Sequence, residues 1–325
     1  MRVRFLVPAG FSEQASGGNV YDRRLHAGLV GRGWDVAVHE VDPGGALPPM
    51  EAGELVLVDG LVASWAAPAL RATRARLVPL VHMAPGTPEE GALLREAPAV
   101  LATSGWTRRW LTERDGVEPG RVHVAVPGAD AADPVPGTEA GGELVCVASV
   151  QPGKGQDVLL AALGGLRDLD WRVSLVGRLD LDRDFVDALR KAAADAGIAD
   201  RVSFAGALAH EEVRTTYAAA DVLVLPTRAE SYGMVVTEAL AHGLPVVASA
   251  VGGVPEALGH AADGSAPGLL VRPDDADALA GALRRWLADP RRRRRLRRSA
   301  ALRRLTLPTW SQTTLHVAAA LEAAR

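Results

Sequence analysis

Lysine is scarce in this chain. Lys154 and Lys191 are its only lysines among 36 basic residues, and arginine supplies all the others. Because arginine serves wherever the chain merely needs a positive charge, each lysine is a candidate for a specific role. The basic residues are balanced by 39 acidic ones, which gives a formal net charge of −3. This balance excludes a global attraction to nucleic acid or to an anionic membrane.

Cysteine and long hydrophobic runs are also lacking. Cys146 is the single cysteine, so an intrachain disulfide and a thiolate zinc site are excluded, and its apolar neighbours predict a buried strand thiol. No apolar run approaches the roughly 18 to 20 residues of a membrane span. The residues after Met1 lack the apolar stretch and cleavage site of a signal peptide. These absences predict a cytoplasmic protein.

The commonest phosphate-binding motifs are missing. The first predicted strand is not followed by Gly-x-Gly-x-x-Gly, and Gly-x4-Gly-Lys-Ser/Thr does not occur. Nicotinamide-dependent and P-loop functions therefore lose their usual support.

Short apolar runs alternate with helical patterns from end to end. Fully apolar strands separated by helices are typical of parallel sheets covered on both faces, so the fold class is predicted to be α/β and doubly wound. The length of 325 residues suggests two domains. The predicted strands are 3–7, 35–39, 55–58, 77–81, 100–103, 122–126, 144–148, 173–176, 202–204, 222–225 and 246–248.

A turn-rich stretch at 127–142 marks the domain boundary. It predicts an N-terminal domain at 1–135, joined by a crossover helix at 308–325, and a C-terminal domain at 140–305. Helices are predicted at 277–288, 291–304 and 309–324. Two Rossmann-like domains that face each other would place a ligand cleft between the carboxyl ends of their strands.

Each predicted domain opens with glycines where its first strand turns into a helix. In the first domain, Gly17 and Gly18 allow the backbone to approach a ligand and direct helix N-terminal amides at it. In the second, Lys154 precedes Gly155 at the equivalent turn. An ammonium with nearby backbone amides suits a phosphate.

The segment 225–256 carries two glutamates eight residues apart, Glu230 and Glu238. We expect Glu230 to end a strand and residues 231–234 to begin a helix that carries Glu238. At about 1.5 Å per residue, the carboxylates would be about 12 Å apart. That is too far for a glycosidase pair acting on one bond, so they are expected to hold two ends of an extended ligand.

These motifs together resemble those of family 4 retaining glycosyltransferases of the GT-B fold. The Glu-x7-Glu pair lies within the part similar to the family's donor-binding domain, residues 202–289. Gly17-Gly18 resembles the family's glycine loop, Lys154-Gly155 its diphosphate lysine, and Trp310 with the final helix its crossover to the first domain.

The resemblance implies a role for each matching residue. Glu230 would contact the donor sugar near its reacting carbon, Glu238 the ribose hydroxyls, and Lys154 the leaving diphosphate. His82 would lie beside the sugar, and Asn19 on the acceptor side. The amides that would hold sugar and diphosphate belong to Ser231, Tyr232, Gly233, Met234 and Val235.

One position departs from the family pattern. Many relatives have an arginine about five residues before the lysine, where this chain has Ser149. The loss of a charged hydrogen bond, about 1.5 to 3 kcal/mol, should be felt unless another cation replaces it. Arg178, after Gly177 at the end of the next strand, is the candidate.

Three further features have ordinary explanations. Asp180-Leu-Asp182 is similar to the metal-binding Asp-x-Asp of another transferase class, but it precedes a helix and is predicted to cap it. The arginine run 291–298 is predicted to be a solvated helix face, with a phosphate-rich or membrane partner as the alternative. Trp106 and Trp110 flank two arginines on a helix, and a lipid surface is again the alternative to ordinary packing.

The predicted function is a metal-independent retaining glycosyltransferase without cofactor. It would move a sugar from a nucleoside diphosphate sugar, UDP by preference, to a hydroxyl of a small soluble acceptor, keeping the α configuration. The short first domain favours a small acceptor over a polymer, and the arginine- and alanine-rich composition fits a role in secondary metabolism. The alternatives are a lipid-directed glycosyltransferase at the inner membrane face, a nucleotide-sugar epimerase and a non-catalytic nucleotide-sugar-binding protein.

Overall fold

A computed structural model describes residues 1–13 and 16–325 of the chain. The chain divides into two compact units, one of residues 1–128 with 308–325 and one of residues 129–307. Each unit has a six-stranded parallel sheet with helices, so the α/β prediction is confirmed. Among the described residues, no helix combines the length and apolar character that a bilayer span requires.

The described residues of the first unit form six strands and five α-helices. The strands are β1 (Arg2–Pro8), β2 (Asp35–Val41), β3 (Leu55–Asp59), β4 (Arg76–Val81), β5 (Val100–Ala102) and β6 (Val122–Val124). The helices are α1 (Gly17–Gly31), α2 (Gly60–Arg71), α3 (Pro88–Glu96), α4 (Gly105–Glu113) and, from the far end of the chain, α12 (Trp310–Ala323). The sheet order is β2-β1-β3-β4-β5-β6, and β3 is buried at every position.

The last helix is part of the first unit's core. The Thr313 hydroxyl donates a hydrogen bond of 2.7 Å to the carbonyl oxygen of Val126. Helices α1 and α12 approach so closely at Gly28 that a Cβ there would lie 2.2 Å from Thr314 Oγ1. A glycine at this point therefore permits the close packing of the two helices.

The second unit holds the other six strands. They are β7 (Glu143–Val147), β8 (Arg172–Val176), β9 (Val202–Gly206), β10 (Val222–Leu225), β11 (Val246–Ser249) and β12 (Gly268–Val271). The helices are α5 (Gln156–Gly164), α6 (Arg183–Asp195), α7 (His210–Ala219), α8 (Met234–Ala241), α9 (Val254–Leu258), α10 (Ala276–Ala288) and α11 (Pro290–Arg304). The sheet order is β12-β11-β10-β7-β8-β9.

Both strand orders contain a switch point, where successive connections leave a strand in opposite directions. In the first unit it lies between β1 and β3, and in the second between β7 and β10. The loops at the carboxyl ends of such strands spread apart and form the usual ligand crevice of an open α/β sheet. The loops that follow β1, β3, β7 and β10 are therefore the places to look for a site.

The arginine run on α11 is exposed at four of its seven arginines, as predicted, but Arg293 and Arg297 take part in packing. Arg293 is buried, and its guanidinium donates to the carbonyl oxygens of Trp286, Leu287 and Glu139 at 3.1, 2.6 and 2.9 Å. Arg297 donates to Asp221 at 2.7 Å. These arginines fasten the segment before β7 to the second unit, because a buried guanidinium must satisfy its donors.

Candidate functional site

The switch point of the second unit brings together Lys154 and Glu230, from the loops after β7 and β10. Lys154 Nζ lies 2.8 Å from Glu230 Oε2, and the two side chains are 26% and 18% exposed. The prediction that Glu230 ends a strand is wrong, because β10 stops at Leu225. The intervening loop turns back toward Lys154, so the carboxylate meets an ammonium 76 residues away in sequence.

A glycine lets these two loops meet. Gly155 has a φ of +71°, and a Cβ on it would lie 2.1 Å from the carbonyl oxygen of Pro226. The Thr227 hydroxyl and the Arg228 amide both donate to the carbonyl oxygen of Gly153, at 3.2 and 2.9 Å. The backbone of the lysine turn is thus fixed against the loop that carries Glu230.

Sequence reasoning missed Arg228, which ties the same loops together through its side chain. Its guanidinium donates two hydrogen bonds to Asp157, of 2.8 and 2.7 Å, and also reaches Asp274. Two carboxylates on one guanidinium make a strong charged contact. An arginine two residues before Glu230, in a chain rich in arginine, gave no signal of this role.

The backbone of Glu230 is supported from the loop after β11. The Gly253 amide donates to the carbonyl oxygen of Glu230 at 3.1 Å. A Cβ on Gly252, whose φ is +54°, would lie 1.6 Å from that oxygen. The glycine pair thus allows the contact that holds this part of the loop.

Helix α8 begins at Met234, three residues later than predicted, after Gly233 with a φ of +96°. Met234 and Val235 provide amides of its first turn, which lack acceptors within the helix. Ser231 and Tyr232 lie in the loop before it, and the Tyr232 side chain is buried. The predicted amide cradle therefore consists of a loop and a helix start.

Glu238 lies on α8 beneath Tyr217 of α7, a partner that sequence reasoning also missed. The Tyr217 hydroxyl donates to Glu238 Oε2 at 3.1 Å, and its ring stacks on His242 with a centroid distance of 5.3 Å. Burial raises the pKa of the Glu238 carboxyl, which the Tyr217 bond partly opposes. The arrangement fixes this carboxylate in one orientation.

Arg178 follows β8 and pairs with Asp180 through two hydrogen bonds of 3.0 and 2.9 Å. Ser149 accepts a hydrogen bond from the Gln151 side chain at 3.0 Å. Asp182 is the N-cap of α6, as predicted, and accepts from the amide of Phe185. Asp180 thus pairs with Arg178, and Asp182 caps a helix.

The switch point of the first unit carries a second cluster. Ser16 caps α1, which begins with Gly17 and Gly18, and Asn19 is buried in its first turn. A Cβ on Gly18 would lie 3.4 Å from the imidazole of His82, the residue after β4. The glycine loop and His82, predicted separately, are therefore neighbours.

His82 contacts two buried aspartates that sequence reasoning missed. Its Nε2 lies 2.9 Å from Asp22 Oδ1 and 3.3 Å from Asp59 Oδ2. Within the described residues, these three form the one group of histidine and acidic side chains close enough to hold a metal ion. Asp59 directly follows the apolar run 55–58, a signal that could have identified it, whereas Asp22, an acid on a helix, gave no such signal.

The tryptophan pair on α4 packs within its own helix. The rings of Trp106 and Trp110 are 5.2 Å apart, and the Arg114 guanidinium lies 4.5 Å from the Trp110 ring. These contacts agree with the prediction of ordinary packing for this pair.

Comparison with known proteins relates the chain to one family of enzymes. Residues 137–303 match the sequence profile of the family described as glycosyl transferases group 1. The D-inositol 3-phosphate glycosyltransferase of Acidothermus cellulolyticus is 36% identical in an alignment 262 positions long that covers 69% of this chain and 57% of that protein. The chain therefore spans little more than half the length of that relative.

Two solved structures have the same fold. The sucrose-phosphate synthase of Thermosynechococcus elongatus aligns with a TM-score of 0.76 and 24% identity, over 98% of this chain and 97% of that one. Anabaena HepE in complex with UDP-glucose aligns with a TM-score of 0.78 and 20% identity, over 99% of each chain. At these identities the likeness shows the fold, which is GT-B with two Rossmann-like domains.

Proposed function

Because the chain belongs to the glycosyl transferases group 1 family, we propose that it is a retaining glycosyltransferase that uses a nucleoside diphosphate sugar. The observation that carries the proposal is the pair Lys154–Glu230 at the switch point of the second unit. It sets one cation and one carboxylate side by side, and a nucleotide sugar presents a diphosphate next to sugar hydroxyls. The preferred donor is a UDP-sugar, a proposal that UDP-glucose in the HepE complex supports.

Lys154 and Glu230 bind different groups at the reacting end of the donor. The ammonium has three donors and gives one to Glu230, so the others remain for diphosphate oxygens. Glu230 accepts from sugar hydroxyls near the reacting carbon. As the bond to the diphosphate breaks, negative charge grows on its oxygens, and a fixed ammonium and fixed amides stabilise that charge. We propose that these groups suffice without a metal ion.

The remaining second-unit residues bind the rest of the donor. Glu238, held by Tyr217, accepts from the two ribose hydroxyls. The amides of residues 231–235 hold sugar and diphosphate. Arg178 supplies the second cation, and this step requires its guanidinium to leave or share Asp180.

In this proposal, residues of the first unit also take part in the reaction. Gly17 and Gly18 let the start of α1 approach the donor, His82 lies beside the sugar, and Asn19 faces the acceptor. The acceptor is a small soluble molecule whose hydroxyl attacks from the face that the nucleoside diphosphate leaves, so the α configuration is kept.

A thermal-shift screen tests the binding half of this proposal. A ligand at 100 times its Kd adds about 2.7 kcal/mol to the free energy of unfolding. For units of this size we expect a rise in Tm of roughly 5 to 10 °C with the correct nucleotide sugar. Free uridine is the control and should shift Tm much less, because it lacks the diphosphate. Equal shifts for uridine and UDP-glucose, or none with any UDP-, GDP- or ADP-sugar, would contradict it.

A further inference from the structure

The cluster around His82 has a geometry that its proposed place beside a sugar does not explain. Both aspartate contacts use the same ring atom, Nε2. The side chains of Asp22 and Asp59 are 0% and 2% exposed, whereas that of His82 retains 14%. Nε2 is therefore directed into the protein, and it is the ring atom through which His82 meets both aspartates.

The ring is held from several elements at once. Asp22 comes from α1, Asp59 from the end of β3, and Tyr21 of α1 meets the ring edge-on at a centroid distance of 5.2 Å. The Tyr21 hydroxyl is engaged elsewhere, since it donates to the carbonyl oxygen of Ala125 at 2.8 Å. Asp59 Oδ1 caps α2 through the Leu61 amide, which leaves Oδ2 for the imidazole.

Charge in this setting favours a protonated imidazole. Burial alone lowers the pKa of His82, but the charges and hydrogen bonds of Asp22 and Asp59 outweigh it and raise the pKa to about 10. Burial raises the pKa of Asp22, against the opposing effect of His82, whereas contact with His82 lowers that of Asp59. Asp22 Oδ2 is buried without a hydrogen-bond partner among the described residues. The cluster thus contains an imidazolium at His82, a carboxylate at Asp59 that stays ionised, and a carboxyl at Asp22 that is protonated more readily.

We infer that Asp22 and Asp59 are positioning residues that hold His82 as an imidazolium with Nε2 turned inward, so that Nδ1–H is the donor offered to a ligand. A neutral histidine bound to the same aspartates through Nε2–H would instead have Nδ1 as an acceptor. The ligand atom at His82 is therefore an acceptor oxygen. Resting on the proposed function, this atom is a hydroxyl oxygen of the donor sugar.

The protonation state is measurable without any substrate. Long-range ¹H–¹⁵N spectra of the full chain report both ring nitrogens of each of its 8 histidines, and His82→Gln assigns the signal. We expect both nitrogens of His82 to stay protonated from pH 6 to pH 9. In Asp59→Asn the pKa of His82 should fall by two units or more, because one carboxylate is lost while the burial of the ring remains. Asp22→Asn should act in the same direction.

Asp35→Asn is the matched control, since Asp35 lies on β2 and is 73% exposed. It should leave the His82 signals unchanged. Titration of His82 near pH 6.5 in the unaltered protein, or no change in Asp59→Asn, would overturn the inference. If Asp22→Asn does not fold, the titrations of the unaltered protein and of Asp59→Asn still decide.

Added Zn²⁺ should not move the His82 signals at equimolar amounts. A stoichiometric shift would identify a metal site instead.

A binding measurement connects the cluster to the ligand. In Asp59→Asn, UDP-glucose affinity should fall roughly tenfold at pH 8.5 and recover at pH 6, where His82 regains its proton. A loss that does not depend on pH would assign Asp59 a purely structural role and overturn the inference. If the unaltered protein binds no nucleotide sugar, the proposed function fails, while the spectra still report the state of His82.

Discussion

At the scale of single residues, the two lysines have opposite surroundings. Lys154 Nζ lies 2.8 Å from the half-buried Glu230, in a turn fixed by Gly155. Lys191 forms an i,i+4 pair with Asp195 on α6, and both of these side chains are more than 60% exposed. Exposed pairs of this kind contribute little to stability. Only Lys154 therefore has surroundings that suggest a ligand.

Substitution of each lysine by glutamine tests this difference. Lys154→Gln removes the cation that pairs with Glu230, so UDP affinity should fall roughly 10- to 100-fold, the equivalent of about 1.5 to 3 kcal/mol. Lys191→Gln is the matched control and should bind UDP as the unaltered protein does. Titration calorimetry measures both. Equal affinity in the two variants would remove Lys154 from the diphosphate site.

Motifs predicted some residues of the candidate sites but not their partners. Lys154, Glu230 and His82 stood out because of rarity or motif position. Asp22 and Tyr217 did not, because an acid or a tyrosine on a helix has meaning only once packing brings another strand or helix to it. Each partner comes from 21 to 60 residues away in sequence. Such distances are not encoded in a local pattern.

At the scale of elements, the candidate donor site depends on loops that glycines allow to approach. The loop after β11 approaches the backbone of Glu230 through Gly252. The position of the Glu230 carboxylate, which is proposed to bind the sugar, therefore depends on Gly252, a residue with no proposed ligand contact.

Gly252→Ala is therefore expected to impair both stability and binding. Its φ of +54° alone costs about 1 to 2 kcal/mol for alanine, and the clash with the Glu230 oxygen adds to it. Gly264→Ala is the control, because Gly264 has a φ of +78° but no atom within 4 Å of an added Cβ. Urea unfolding should give a lower free energy of unfolding for Gly252→Ala than for Gly264→Ala. Only Gly252→Ala should weaken UDP-glucose binding. The same loss in both would show that the contact with Glu230 does not matter.

The sequence pattern predicted most strands of the described chain and missed β12. This strand is Gly268–Val271, only four residues long and preceded by turn-forming residues, with two partly exposed positions. A Cβ on Gly268 would lie 2.1 Å from the carbonyl oxygen of Val246, so the glycine marks a close strand contact. Within the arginine run on α11, the burial of Arg293 was not predicted, because it depends on the carbonyl oxygen of Glu139, 154 residues away in sequence.

At the scale of the whole molecule, alternating strands and helices were enough to predict α/β, but not the strand orders. The orders β2-β1-β3 and β10-β7-β8 create the switch points at which the candidate residues gather. Periodicity carries no information about which strands are neighbours, so the GT-B prediction depended on the family motifs. Family membership and fold are confirmed; the reaction is the part that a measurement must decide.

The most direct measurement is the product formed from a nucleotide sugar with and without small hydroxylated acceptors. We expect slow release of the nucleoside diphosphate without acceptor, faster release with the correct one, and an α-linked product in the presence of a chelator. Glu230→Gln should abolish transfer. Tight binding of a nucleotide sugar with no release under any condition, or conversion of the donor to an epimer, would contradict the account.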